Sequence, residues 1–289
     1  MIRRKQFRLR LPSRTLVLGE RTHIMGVLNV TPDSFSDGGQ FLDARRAIEH
    51  AFEMERAGAD MLDIGGESTR PGSWGISAQQ ELDRILPVLN QLQGRLKIPI
   101  SIDTQKAKVA EAAAKAGAEI INDVSALRFD PELAQIACRH RMAIILMHMR
   151  GAPRTMQQGP FARNVLRDAT RGLREDLARA KRAGIAKSQI ILDPGIGFGK
   201  NYAQNFELLA RLPELAGLAC PLLVGTSRKA FIGHALGNVP PERRVWGTAA
   251  TVAASIFGGA HIVRVHDVAE MAQVAKIADR IANAAPKNL

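Results

Sequence analysis

The chain has 289 residues, of which 46% are hydrophobic and only 4% aromatic, and it carries a formal charge of +12 with a pI near 10.4. That length buries a substantial core, as one large α/β barrel or two ordinary domains, and no apolar run approaches the roughly 18 residues of a membrane span, which excludes a helical membrane protein. Lys and Arg are spread along most of the expected helices rather than gathered with aromatics, which argues against a nucleic-acid footprint and for a solvated basic surface that keeps some charge for an anionic substrate.

Residues 1–19 contain no acid and several arginines. No continuous apolar segment follows the paired Arg3-Arg4, so an export signal fits poorly, whereas the alternation of Phe7, Leu9 and Leu11 fits a β-ribbon. Beyond this arm, taken as 1–20, apolar runs of strand length recur at Ile24–Val30, Met61–Ile64, Ile98–Ile102, Ile120–Val124, Ala143–Met147, Ile190–Leu192, Leu222–Val224 and His261–Val265. Between the first two, Ala44, Ala47, Ile48, Ala51 and Phe52 hold helical spacing, with Asp43 as the expected N-cap and Gly58 as the C-cap. Further helices are expected over about 77–93, 105–116, 130–141, 161–183, 203–211, 241–257 and 267–283. Strand then helix, eight times without a linker, predicts a closed (β/α)8 TIM barrel of the α/β class over 21–285, in a single domain spanning 1–289. Cys138 and Cys220 lack metal-ligand or C-x-x-C spacing and read as reduced, inert core cysteines of a cytoplasmic protein.

A weak repeat supports this count. Gly58-Ala-Asp-Met-Leu-Asp63, Gly117-Ala-Glu-Ile-Ile-Asn122 and Gly259-Ala-His-Ile-Val-Arg264 share a glycine, an apolar strand and a polar residue five positions on. Active sites of such barrels lie at the carboxyl ends of the strands, so Asp63, Asn122 and Arg264 should face one mouth. The most pointed stretch is Ile190 to Lys200, where an apolar run ends in Asp193 and Gly195, Gly197 and Gly199 alternate. It is neither a Walker A loop, which needs Gly-Lys-Ser/Thr at a fixed offset, nor a dinucleotide fingerprint, whose third glycine follows two intervening residues. It has the layout of a binding loop with closely approaching backbone.

The other strand ends add Asn29, Asp103, Asn122-Asp123 and His148 in the first five strands, then Ser227-Arg228-Lys229 and Arg264-Val-His266-Asp267 in the last two. Acids and amides in the middle with cations at the end suggest a ligand with a donor-rich neutral ring and a phosphate tail, the cations falling where barrels commonly hold phosphate. Two long turn-rich loops, 29–39 and 65–72, read as lids.

Taken together, Val27-Leu-Asn-Val-Thr-Pro-Asp-Ser-Phe-Ser-Asp, Asp63-Ile-Gly-Gly-Glu-Ser-Thr-Arg-Pro-Gly, Ser101-Ile-Asp-Thr, Ile121-Asn-Asp-Val, Leu146-Met-His-Met, Asp193-Pro-Gly-Ile-Gly-Phe-Gly-Lys, Gly225-Thr-Ser-Arg-Lys and Arg264-Val-His-Asp-Val resemble dihydropteroate synthase, the folate-pathway family that sulfonamides inhibit. The resemblance covers about residues 20–270 in the family's order. The chain departs from the pattern at Ser73-Trp74-Gly75, which is bulkier than usual, and at Gln79-Gln80, where family members often carry acids.

The resemblance implies a transferase that condenses 6-hydroxymethyl-7,8-dihydropterin diphosphate with para-aminobenzoate, releasing diphosphate. It implies Asp103, Asn122, Asp193, Lys229, Met147 and Phe198 at the pterin, and Asn29, Thr69, Arg70, Arg264 and His266 at the diphosphate. Thr69, Pro71, Phe35, Phe198, Ser227 and Lys229 would hold para-aminobenzoate. Arg264, His266, Lys229, Asn29 and Arg70 would carry catalysis, with Mg²⁺ on Asn29 and Asp33 or Asp37 as a further ligand. It also implies a homodimer. The rival readings are a pterin-binding methyltransferase domain acting on methyltetrahydrofolate, against which the full diphosphate set speaks, and a non-catalytic paralogue.

Overall fold

The computed structural model describes residues 4–31, 39–68, 73–151 and 155–284. Strands β1 (Phe7–Arg10) and β2 (Thr15–Leu18) form an antiparallel ribbon in which Phe7 faces Leu18 and Arg10 faces Thr15. Eight parallel strands follow, β3 (His23–Asn29), β4 (Met61–Gly65), β5 (Ile100–Asp103), β6 (Ile120–Asp123), β7 (Ala143–Met147), β8 (Ile190–Asp193), β9 (Leu223–Val224) and β10 (Ile262–Val265). Their spatial order runs β8-β7-β6-β5-β4-β3-β10-β9, and a parallel bridge between Leu192 and Leu222 joins β8 to the approach of β9. This is a (β/α)8 barrel, each strand adjacent to the next in the chain.

The helices α1 (Gly39–Arg56), α2 (Ala78–Leu92), α3 (Ala107–Lys115), α4 (Leu133–His140), α5 (Val165–Arg182), α6 (Tyr202–Ala210), α7 (Ala230–Ala235), α8 (Val245–Phe257) and α9 (Val268–Ala284) surround it. Several begin on the side chains that helix chemistry favours. Asn164 starts α5, while Ser77 with Gln80 and Asn201 with Gln204 form reciprocal capping boxes on α2 and α6. In each box the glutamine side-chain oxygen accepts the cap N–H, as a carboxylate would. Helix α1 begins at Gly39, so Asp43 lies inside it and is not the N-cap; the helix starts a turn earlier than its apolar spacing discloses. Gly58 does close it, at φ +102°, with the Ala59 N–H on the Met54 carbonyl at 3.0 Å. The six-residue α7 was not foreseen, and a 3-10 turn over Pro241–Arg243 precedes α8 where a continuous helix was expected. Cys220 is buried, but Cys138 is exposed near the end of α4 and is not a core residue.

Because strand side chains alternate, one parity of each strand faces the helices and the other fills the barrel. Ile24, Leu62, Ile64, Ile102, Ile121, Ile144, Leu146, Leu192 and Val263 belong to the outer layer between sheet and helices. Met25, Met61, Ile120, Ala143, Ile145, Ile191, Leu223 and Ile262 form a separate cluster inside the barrel floor. The ribbon plugs that floor, since Leu9, Leu11 and Leu18 join the same cluster and are buried. Each such leucine contributes about 1.5–3 kcal/mol. Arg4 fastens the ribbon's start by donating to Thr22 Oγ1 at 2.6 Å and pairing with Asp279 of α9. Among the described residues no helix is long and apolar enough to cross a membrane.

Candidate active site

The interior parity that is apolar at the floor turns polar one step up each strand. Asp63 follows Met61, Asp103 follows Ser101, Asn122 follows Ile120, Asp193 follows Ile191 and Arg264 follows Ile262. These side chains meet. Arg264 Nε donates to Asp63 Oδ2 at 2.6 Å and its Nη2 to Asp103 Oδ2 at 2.8 Å, while Asn122 Nδ2 donates to Asp63 Oδ2 at 2.8 Å. Ladder register sets Asp103 beside Asn122 and Met147 beside Asp193. The second oxygen of Asp103 is buried without a hydrogen-bond partner among the described residues, an acceptor that a ligand N–H would satisfy.

The electrostatics follow from this crowding. Burial pushes Asp103 up, Arg264 pulls it down and Asp63 pushes it up further. Burial also raises Asp193, which Lys229 opposes. Burial works to lower Arg264, but Asp63 and Asp103 outweigh it and hold the guanidinium above its ordinary value. The Arg264 side chain is still 23% exposed, so its outer edge reaches the mouth.

On the other side of the ring, Asp193 Oδ1 accepts the Gly195 N–H at 2.7 Å and the glycine loop folds over it. Gly195, Gly197 and Gly199 all have positive φ, and an added Cβ would lie 1.9 Å from the His148 carbonyl, 2.9 Å from Lys229 Cδ and 2.3 Å from the Arg150 carbonyl respectively. The alternation noted in the sequence is therefore a backbone laid directly on the exit of β7 and on Lys229. Lys229 donates to the Ile196 carbonyl and lies 4.6 Å from the centre of the Phe198 ring, a cation–π contact. Burial lowers Lys229 to about 8, against the pull of Asp193. Met147 and Phe198 share a small apolar cluster with Val124, Met149 and Met156.

Ser227 Oγ accepts the His266 N–H at 3.1 Å and lies 3.0 Å from His266 Nδ1, which joins the ends of β9 and β10. Arg228 turns away and forms a two-pronged pair with Asp267, so it does not join the cations expected at the phosphate. Asn29, at the end of β3, is partly exposed at the same rim. Asp33, Phe35, Asp37, Thr69, Arg70 and Pro71 lie outside the described residues.

Residues 25–266 match the family described as pterin binding enzyme. The chain belongs to this pterin-binding family. It is 50% identical over 263 residues to a dihydropteroate synthase of Synechocystis, covering 91% of each chain. Two solved structures superpose with a TM-score of 0.90: a Yersinia pestis dihydropteroate synthase with a sulfonamide drug complex, 45% identical, covering 96% of this chain and 100% of that one; and a Xanthomonas albilineans dihydropteroate synthase with 4-aminobenzoic acid, 41% identical, covering 98% and 100%.

Within this pterin-binding barrel, three groups escaped the assignment of roles from sequence. Asp63 is fully buried and anchors both Arg264 and Asn122; its parity with Asp103 was the available signal. Lys200 is 2% exposed beneath the glycine loop, and nothing local distinguishes it from a surface lysine that follows a glycine. Glu67 accepts the Ile76 N–H at 3.0 Å and Lys106 Nζ at 2.7 Å, and Lys106 also pairs with the buried Glu81, a network that joins both flanks of the 69–72 segment to α2 and α3. Trp74 is 72% exposed.

Proposed function

We propose that the protein is a dihydropteroate synthase, a transferase that joins para-aminobenzoate to the methylene carbon of 6-hydroxymethyl-7,8-dihydropterin diphosphate. The observation that carries this reading is the ring of Asp103, Asn122 and Asp193 on one rim with Lys229 and Arg264. Those three side chains accept the adjacent amino and ring N–H groups of a pterin, and Lys229 donates to its carbonyl side. Met147 and Phe198 supply apolar faces for the ring.

In the reaction the methylene carbon–oxygen bond breaks, the electron pair leaves with diphosphate, the arylamine nitrogen forms the new bond, and its proton passes to solvent. Cleavage needs charge stabilisation at the departing oxygens more than a strong base. Arg264, His266, Asn29 and Arg70 take that role. Arg264 is already fixed by two carboxylates, so little reorganisation is needed as charge develops. Thr69, Pro71, Phe35, Phe198, Ser227 and Lys229 hold the arylamine.

Mg²⁺ is the expected metal. Among the described residues no cluster of three His, Cys, Asp or Glu side chains could hold a metal ion. Asn29, at the end of β3, with Asp33 or Asp37, would supply oxygen ligands to an ion that takes the rest from phosphate oxygens and water. When bound, it would neutralise the leaving group. A homodimer is supported by an apolar face on α6, α7 and α8. Tyr202, Phe206, Leu236 and Trp246 are exposed there, and Tyr202 and Phe206 meet His234 and Phe231 of α7. A cytoplasmic location fits the pathway and the two cysteines that are not joined to one another.

The test is incubation of the purified protein with dihydropterin diphosphate, para-aminobenzoate and Mg²⁺. Dihydropteroate should form, and omission of any component should abolish it. Absence of product in the complete mixture would refute the proposal.

A further inference from the structure

Lys200 presents a problem that the proposed reaction does not solve. It is almost wholly buried, yet no carboxylate lies within hydrogen-bonding distance of it among the described residues. Its Nζ lies 2.9 Å from the Gly195 carbonyl, 3.0 Å from that of Phe198, 3.4 Å from that of His148 and 3.2 Å from His148 Nδ1. Four acceptors surround one nitrogen. An ammonium offers three N–H groups to them and a neutral amine only two, so the geometry calls for the charged form. A buried charge is costly unless its surroundings compensate it, and a side chain that tolerates such a place is held there by what it organises.

What it organises is the floor of the pterin pocket. Gly195 is held at both polar groups of its backbone, its N–H on Asp193 Oδ1 and its carbonyl on Lys200. The Phe198 carbonyl sits on the same ammonium, while the Phe198 ring lies beside Lys229. The glycines of this loop have no side chains to brace it. Lys200 grips it from below and ties it to the exit of β7, from which His148 continues the chain of contacts to Asp168 of α5, 3.5 Å from His148 Nε2.

We propose that Lys200 is a positioning residue for the pterin end of the site, and that its ammonium, clamped between the glycine loop and His148, holds the Asp193 carboxylate and the Phe198 ring in the orientation that binds pterin. This rests on the reading of the pocket as a pterin site. It assigns no contact between Lys200 and substrate; Lys200 acts through Gly195 and Phe198.

Protonation of Lys200 is coupled to pterin binding as a consequence. Burial lowers the amine to about 7, Asp193 of β8 and Asp168 of α5 raising it and Lys229 lowering it. His148, which faces it from the end of β7, is lowered to about 4 by burial against the pull of Asp168, so it stays neutral near pH 7; with its proton on Nε2, towards Asp168, Nδ1 is left to accept. Asp168 itself also meets Arg150 and Arg171. If the charged form binds pterin more tightly, pterin must raise the pKa of Lys200 by the same free energy.

Two measurements test this. Binding of 6-hydroxymethylpterin to the parent protein and to Lys200→Met is followed by calorimetry from pH 6 to 8.5. Titration of the Lys200 amine is followed by NMR of 15N-lysine-labelled parent with and without the pterin, the variant identifying the resonance. K200M should bind about tenfold or more weakly at pH 6.5, and the gap should narrow as the parent amine loses its proton. Lys229, lowered to about 8, is coupled to Lys200, so the gap is read between pH 6 and 7.5, below its alkaline limb. Pterin should raise the Lys200 midpoint by about one pH unit for a tenfold coupling. Parental affinity in K200M at pH 6.5, or a Lys200 midpoint that pterin leaves in place, would overturn the proposal. If K200M fails to fold, Lys200→Arg, which keeps the charge but removes the labelled amine, identifies the resonance and the parent titration decides. A folded parent that binds no pterin at all would instead strike the reading of the pocket.

Discussion

Replacing Arg264 with alanine removes the cation between two buried carboxylates, and the structure says how much that should cost. Asp63 is fully buried and retains only the Asn122 amide on its shared oxygen, and Asp103 loses its pair to Arg264. Breaking a buried ion pair by deleting one partner typically costs about 3–5 kcal/mol. Because the Arg264 side chain is 23% exposed, the lower end applies, about 3 kcal/mol, a fall in Tm of about 5 °C for a chain of 289 residues. Turnover should fall by roughly 10²–10³, the usual effect of removing a donor aimed at developing negative charge. A second substitution separates the two effects. Arg264→Ala with Asp63→Asn removes one of the stranded charges, so it should recover part of the lost stability and none of the turnover. Thermal unfolding and diphosphate release measure the two quantities independently. R264A with parental turnover would remove Arg264 from the leaving-group role, and an unchanged Tm would refute the buried-charge argument.

Asp193→Ala deletes a charge-assisted acceptor and should weaken pterin binding by about 1.5–3 kcal/mol, roughly tenfold to more than a hundredfold, by calorimetry. Gly195→Ala places a methyl 1.9 Å from the His148 carbonyl, so the loop must move; pterin binding should be lost while far-UV circular dichroism stays parental. His261 accepts the Leu222 N–H at Nδ1 and faces the Lys5 carbonyl with Nε2, and burial lowers it to about 4. Its folded pKa lies below the unfolded value near 6.5, so the unfolded state takes up the proton first. The stabilisation is complete above about pH 6.5 and is lost as pH falls towards 4, by up to about 3 kcal/mol. Urea midpoints should drop over that range, and less steeply in His261→Gln; equal slopes would refute the assignment. Trp246→Glu places a charge on the apolar face of α8 and should shift a dimer to monomer in sedimentation, with no change if that face is free in the assembly.

The sequence by itself determined the barrel and much of its rim. Strand runs, the helical spacing of apolar residues and the polar residues that end the strands are local patterns, and they survive folding because they depend on neighbours two to four residues away. The glycine alternation belongs here too, although its cause, contact with His148, Arg150 and Lys229, became visible only in space. Tertiary structure alone decided which charges meet. Arg264 reaches Asp63 across 201 residues and Asp103 across 161, so cations and acids that stand apart in the chain are partners once the barrel closes. It also turned Arg228 to Asp267, brought Cys138 to the surface and buried Lys200 against His148. A charged residue after a glycine reads the same whether it ends in water or in the core, because its energy is set by the dielectric and the partners that only the folded chain supplies.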